Sequence, residues 1–156
     1  MPLEIRLAYN EIEKVKELFI EYMSALDTDL AYQDFGSELD NLPDKYILPL
    51  GRLYIAIYNG ELAGCIALRP HEKNSCEMKR LYVRPKFRRL RIGYALVEKI
   101  INDIIHMQYD KMLLDSLPSM GSAIELYKKL GFYEVEPYCH SPIEGTVFLQ
   151  KDLRSE

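Results

Sequence analysis

Cysteine and histidine are scarce in this chain, and the spacings that typically bind metals are absent. Its 156 residues include three cysteines and three histidines, with no CxxC and no HExxH among them. An odd cysteine count without an export signal argues against a disulfide framework. The neighbours Cys139 and His140 would point to opposite faces of a strand, which argues against a catalytic Cys–His pair. We therefore expect no metal and no thiol catalysis.

Long apolar runs are missing as well. No stretch approaches the ~20 residues that cross a bilayer, and the N-terminal residues MPLEIRLAYNEIEK do not form a signal peptide. We therefore expect a soluble, cytoplasmic protein that does not interact with membranes. The glycine loops GxxxxGK[ST] and GxGxxG are also absent, which argues against a triphosphate or dinucleotide site.

Charge is distributed unevenly along the chain, although its size and composition are ordinary. An apolar fraction of 48% in 156 residues predicts a single domain over residues 1–156. Of the 20 basic residues, seven lie between residues 79 and 91 with no acid among them, which leaves 13 against 24 acids elsewhere. Nucleic-acid binders spread positive charge over a broad face. The segment therefore favours a compact anion such as a nucleotide cofactor over nucleic acid, although a solvated loop would look similar.

The hydrophobic pattern predicts alternating strands and helices. Asn59-Gly60 is typical of a type I′ hairpin turn, and Gly131 stands where a helix often ends. Residues 10–13 resemble a capping box that opens the first helix. The result is a mixed α/β (α+β) fold with antiparallel hairpins. The predicted strands are 3–7, 52–58, 61–68, 75–83, 111–115, 132–136 and 146–150, and the later helices are 33–42, 92–107 and 119–130.

A strand, a basic loop and a helix follow one another between residues 75 and 107, an order that suits phosphate binding. The first backbone N–H groups of a helix lack intrahelical partners, and the helix dipole adds positive potential there. Arg88, Arg89 and Arg91 supply charge beside the helix that begins at Ile92. Gly93 permits close approach because it has no Cβ.

Two motifs in this part of the chain resemble the GNAT superfamily of N-acetyltransferases. The family signature [Q/R]-x-x-G-x-[G/A] is matched by RRLRIG, which runs from Arg88 to Gly93. Arg91 stands at the first glycine, which predicts that the loop bends differently there, with the arginine directed outward or onto a phosphate. SAIELYKKLGF (122–132) is similar to the family element A-x-x-L-Y-x-x-x-G-F, with Met120 where the family often has asparagine.

The resemblance implies a fold and a set of roles. The fold would be a GNAT-like, mostly antiparallel seven-stranded sheet flanked by about four helices, with acetyl-CoA as co-substrate between the fourth and fifth strands. The backbone of the fourth strand would hold the pantetheine arm, and Tyr127 would be the general acid. The implied cofactor-binding residues are Leu81, Tyr82 and Val83 for the arm, and Arg88, Arg89, Leu90, Arg91, Ile92, Gly93, Tyr94 and Ala95 for the pyrophosphate.

The general base is predicted from the residues of the fourth strand. Glu77 comes just before the cofactor segment, and alternation places it on one face with Lys79 and Leu81. A cross-strand ion pair is an equally open reading of this glutamate. A water chain is a further possibility, and Tyr82 and His140 are weaker candidates for proton transfer.

The resemblance also implies that the acceptor site lies around residues 22–46 and 137–145. Acids there could attract a cationic amine, but a solubilising surface is the favoured reading. The predicted activity is acetyl-CoA-dependent transfer to a primary amine of a small molecule, amino acid or peptide by direct attack on the thioester, in a monomer or homodimer. A non-catalytic CoA-binding sensor is the alternative. The acids are Asp27, Asp29, Asp34, Glu38, Asp40 and Asp44, and the candidate pocket aromatics are Tyr32, Phe35 and Tyr138.

Overall fold

The computed structural model describes residues 2–25, 35–72, 74–116, 121–139, 141 and 144–153. Strands and helices alternate through these ranges in the predicted order. The strands are β1 (Leu3–Leu7), β2 (Arg52–Tyr58), β3 (Glu61–Pro70), β4 (Ser75–Val83), β5 (Lys111–Ser116), β6 (Tyr133–Val135) and β7 (Val147–Asp152), and the helices are α1 (Ile12–Ala25), α2 (Phe35–Asp40), α3 (Ile92–Ile104) and α4 (Gly121–Lys129). Helices in the described part of the chain fall short of the length or apolar character needed to span a bilayer.

The seven strands form one sheet in the order β1-β2-β3-β4-β5-β7-β6. Every neighbouring pair is antiparallel except β4 and β5, which run parallel. A parallel pair needs a crossover, and here α3 provides it. The predicted mixed, mostly antiparallel sheet with four helices is therefore confirmed.

Turn chemistry explains where several elements end. Asn59 and Gly60 both have positive φ, at 50° and 83°, as a type I′ turn between β2 and β3 requires. Gly131, the second residue after α4, has φ of 99°, as expected for a helix-terminating glycine. These local signals were sufficient to predict the β2–β3 hairpin and the end of the last helix.

Each face of the sheet carries its own apolar core. On one face, which we call the α3 face, the buried stripe of α3 packs against alternate residues of the central strands. On the other, the α1 face, Val15, Leu18 and Phe19 of α1 pack with residues of β2 and β3 and with Phe35 of α2. The molecule is therefore a three-layer sandwich, and its central strands read as long apolar runs because both of their faces are covered.

A β-bulge in β4 changes which residues share a face. Lys79 and Tyr82 pair with Ala67 and Cys65, so two residues of β4 lie opposite the single residue Ile66 of β3. The first of the two, Arg80, has φ of 62°. Simple alternation placed Leu81 with Glu77 and Lys79, and this was wrong because the extra residue reverses the alternation. Leu81 and Val83 instead pack with the α3-face core, and Tyr82 with the α1-face core.

Candidate active site

The two parallel strands separate at the centre of the sheet and leave a cleft. The β4–β5 ladder contains three pairs and ends at Glu77 with Leu113, although β4 continues to Val83 and β5 to Ser116. On its other edge β4 stays paired with β3 as far as Val83. The backbone from residue 78 onward therefore has no strand partner on the β5 side within the described residues, and its polar groups are open to a ligand.

The N-terminus of α3 follows β4 through a short basic loop. Arg91 is the N-cap and makes no side-chain capping hydrogen bond. The first intrahelical bond runs from the Ala95 amide to the Arg91 carbonyl at 3.1 Å. The amides of Ile92, Gly93 and Tyr94 precede that bond, so this 13-residue helix begins with uncapped donors.

Arg91 keeps the backbone conformation that glycine favours. Its φ is 63°, and Arg89 has φ of 68°; a non-glycine residue in this region costs about 1–2 kcal/mol. The Arg91 side chain is exposed, and its guanidinium lies 4.8 Å from the ring centroid of Tyr94. The side chain is directed outward, one of the two orientations predicted for it, and its contact with a phosphate stays a prediction. A Cβ at Gly93 would come no closer than 3.6 Å to another atom, so packing does not require that glycine.

The basic run divides into two groups. Arg84 is bound by Glu17 and Glu21 of α1, and Lys86 by Glu61. The exposed guanidinium groups of Arg88, Arg89 and Arg91 have no ion-pair partner among the described residues. These three therefore carry the net positive potential of the loop beside α3.

The cleft and loop fit a molecule with a polar arm and a phosphate end. The backbone at Leu81–Val83, which has no strand partner on the β5 side among the described residues, leads to the uncapped helix start. The Arg88 Nε donates to the Val83 carbonyl at 3.0 Å, which ties the loop to the strand. The buried Ser116 hydroxyl, at the open end of β5, has no hydrogen-bond partner in the described part of the chain. Such a group favours a ligand that supplies one.

Glu77 lies on the α1 face, buried within a network of polar side chains. Its Oε1 accepts from Arg69 at 2.9 Å and its Oε2 from the Tyr138 hydroxyl at 3.0 Å. Burial by itself would raise the pKa of Glu77, but the charges of Lys79 and Arg69 outweigh it, and the pKa lies below its usual value. A carboxylate held in this way is a weak proton acceptor. The cross-strand ion pair that the sequence left open is what the structure contains, and it disfavours Glu77 as the base.

Asp115 is a second, half-buried carboxylate near the end of the β4–β5 ladder, and sequence reasoning missed it. It lies two residues beyond Leu113 on β5, just as Lys79 lies two beyond Glu77 on β4. Burial raises the pKa of Asp115, with the Glu77 charge adding to the effect and Lys79 opposing it. The signal in the sequence was an acid in the apolar strand KMLLDS, which becomes informative only once β4 and β5 are known to diverge there.

Tyr127, on α4, is buried with 5% of its surface exposed. Its ring packs against Phe132 with centroids 5.8 Å apart. Burial raises the pKa of Tyr127 well above its ordinary value, and the charges of Tyr22 and Asp115 raise it further. A phenol that stays protonated beside Asp115 can donate a proton.

The acceptor region is partly described. Glu38 of α2 is buried and bound by Arg80 through two contacts of 3.0 Å, so this acid is not part of a solubilising surface. Arg80 also lies over the rings of Tyr22 and Phe35. Tyr138 reaches the same face from the late loop through its bond to Glu77. Asp27, Asp29, Tyr32, Asp34, Met120 and His140 lie outside the described residues.

The model of the acetyltransferase (GNAT) family matches residues 12–132 of this chain, and the protein belongs to that family. An uncharacterized N-acetyltransferase of Dictyostelium discoideum is 33% identical over 99% of this chain and 100% of its own length. Another, from Schizosaccharomyces pombe, is 38% identical over 92% of this chain and 89% of its own length. Human N-acetylaspartate synthetase is 28% identical over 89% of this chain and 43% of its own length.

Solved structures share the fold. A GNAT acetyltransferase of Staphylococcus aureus superposes with a TM-score of 0.81 at 22% identity, over 97% of this chain and 99% of its own. An acetyltransferase of Salmonella typhimurium, solved with its cofactor acetyl-CoA, superposes with a TM-score of 0.72 at 16% identity, over 100% of this chain and 96% of its own. These structures show that the protein has the GNAT fold. The family match and the two N-acetyltransferase relatives make it an acyltransferase of a family that carries out acetyl-CoA-dependent acetylation.

Proposed function

We propose that this protein transfers the acetyl group of acetyl-CoA to a primary amine of a small molecule, amino acid or peptide, by direct attack of the amine on the thioester. One observation carries the proposal: the β4–β5 ladder ends early, β4 leads on to the uncapped start of α3, and two acid–base side chains, Asp115 on the α1 face and Tyr127 in the α3-face core, belong to the elements that follow. Acetyl-CoA, when bound, supplies the activated acetyl group.

The residues that would hold acetyl-CoA are those of the cleft and the basic loop. The open backbone of Leu81–Val83 offers hydrogen bonds to the pantetheine arm. Amides aimed at a carbonyl oxygen stabilise the negative charge that develops there during acyl transfer. The α3 amides and the exposed arginines at 88, 89 and 91 would bind the pyrophosphate, because helix starts and guanidinium groups both favour anions.

We assign the two proton transfers of the reaction to Asp115 and Tyr127. We assign the general base to Asp115 in place of Glu77, because Asp115 has the raised pKa and no ion pair within 4 Å in the described residues. A base with a pKa closer to neutrality removes a proton from an ammonium more readily. Tyr127 is assigned the general-acid role toward the departing sulfur.

Thermal shift and thiol release together test the proposal. A ligand that binds the folded state stabilises it by mass action, so acetyl-CoA and CoA should both raise the melting temperature. ATP should leave the melting temperature unchanged. Tyr127→Phe keeps the buried ring and should bind CoA normally while kcat falls by about 10²–10⁴. Unchanged turnover in Tyr127→Phe would show that Tyr127 is not the general acid. CoA binding without thiol release from any amine would support the non-catalytic sensor.

A further inference from the structure

Lys79 is an enclosed ammonium with few partners. Its side chain is 11% exposed, and its one ionic contact joins Nζ to the Glu77 Oε2 at 3.9 Å, which is beyond hydrogen-bond distance. In the described part of the chain no hydrogen bond reaches its three donors. Burial lowers the pKa of Lys79, which is the expected response of an ammonium that has lost water without gaining an adequate partner.

The neighbouring charges are already engaged. Glu77 is bound by Arg69 and Tyr138, and Glu38 is bound by Arg80. Both carboxylates therefore have other partners that compensate their negative charge. The remaining charge on this face of the cleft is Asp115, to which Lys79 makes no ion pair within 4 Å.

Lys79 and Asp115 face the same opening. Each lies two residues beyond the last pair of the β4–β5 ladder, so both project from the α1 face of the sheet at the point where the strands diverge. Paired strands lie about 4.8 Å apart, and the separation grows past the end of the ladder. A cation and an anion therefore lie on the same face at the end of the ladder, close enough to influence each other's pKa but without an ion pair within 4 Å.

We propose that the acceptor is a free amino acid, whose carboxylate binds Lys79 while its amine faces Asp115. The inference rests on the proposed acetyltransferase function and narrows its acceptor. A zwitterion offers each of the two side chains a partner of opposite charge, and hydrogen bonds between charged groups are the strong ones. A polyamine or an internal peptide amine would leave Lys79 unpaired. A peptide N-terminus lacks the adjacent carboxylate as well.

The experiment compares each amino acid with its own amide. Thiol release is measured with L-aspartate, L-glutamate, glycine and L-alanine, and with the α-amides of the same four. The amide keeps the amine and makes it less basic, so more of it is unprotonated and a preference for the acid cannot come from amine reactivity. We expect kcat/KM for at least one acid to exceed that for its amide by about 10–100-fold, the range of a hydrogen bond between charged groups.

Two variants locate the effect. Lys79→Met removes the charge from a similar volume and should bring the acid-to-amide ratio close to one. Lys111→Met, at the opposite end of β5 and exposed, should leave the ratio as in the wild type. Equal rates for acids and amides in the wild type, or a ratio that survives Lys79→Met, would overturn the inference and leave acetyl transfer itself intact.

Binding of the product keeps the inference testable if no amine in the panel is turned over, an outcome that would count against the proposed function. In the presence of CoA, N-acetyl-L-aspartate and N-acetyl-L-alanine are compared with their α-amides by thermal shift. A shift with an acid that its amide does not produce, and that Lys79→Met abolishes, supports the carboxylate site. Equal shifts with acid and amide, or no shift with either, overturn it.

Discussion

Asp115→Asn should lower activity far more than Glu77→Gln does, whereas Glu77→Gln should be the less stable variant, and this contrast tests the choice of base. Asparagine has the shape of aspartate but accepts no proton. Loss of a general base lowers kcat by about 10²–10⁴, which is about 3–5 kcal/mol of activation free energy. Glu77→Gln should lower kcat by less than about tenfold, because Glu77 holds neighbouring side chains and its pKa is depressed.

The stability signs follow from the pKa directions. Burial raises the pKa of Asp115, so its contribution to stability is present below the unfolded pKa and lost as pH rises through the folded one. At neutral pH the ionised carboxylate therefore destabilises the fold, and Asp115→Asn should melt at the same temperature or higher. The pKa of Glu77 is lowered instead, so its contribution to stability is present above the unfolded pKa and lost as pH falls through the folded pKa. Breaking a buried pair costs about 3–5 kcal/mol, and since Arg69 stays 33% exposed we expect about 3 kcal/mol or less.

The assays are thiol release with saturating acetyl-CoA and thermal unfolding of the same samples. In the wild type, the acid limb of kcat/KM should lie above the ordinary aspartate value of 3.8 and should vanish in Asp115→Asn. The reasoning is refuted if Asp115→Asn retains wild-type kcat. It is refuted equally if Glu77→Gln folds with an unchanged melting temperature yet loses turnover by more than 10²-fold.

Three further predictions concern the backbone and the buried ion pair. Arg91→Gly should raise the free energy of unfolding by up to about 1 kcal/mol, because relief of the left-handed φ (63°) outweighs the entropy of the added glycine; a lower melting temperature would contradict this. Gly64→Ala places a Cβ 2.5 Å from a β4 carbonyl oxygen and should destabilise by about 1–3 kcal/mol. Its control Gly93→Ala, with 3.6 Å of room, should stabilise α3 by about 0.5–1 kcal/mol. Glu38→Gln breaks a pair whose side chains are 1% and 2% exposed and should cost about 3–5 kcal/mol of stability in urea unfolding.

Element order and cofactor region were predictable because their signals are local. A hairpin turn such as Asn59-Gly60 depends on two residues, and the amphipathic stripe of α3 on one helix. The loop from Arg88 to Gly93 could be placed at a helix start from spacing alone. Arg91 was recognised as a departure, but whether its backbone would keep the conformation of a glycine required the structure.

The faces of β4 and the ion-pair partners of Glu77 could not be read in the same way. Alternation assumes an unbroken ladder, and the bulge at Arg80 reverses it. Glu77 was preferred because it precedes the cofactor segment. Its partners Arg69 and Tyr138 come from another strand and a late loop, and no sequence spacing links them.

By itself, then, the sequence determined the family, the order of strands and helices and the segment that suits a nucleotide cofactor, since each depends on residues close together in the chain. Only the tertiary structure decided which buried charges are partnered. Lys79 and Asp115 come from parallel strands joined by a whole helix, and they meet because the ladder between them ends at Glu77 and Leu113. Desolvation and ion pairing depend on everything that packs around a group, and that is a property of the folded chain.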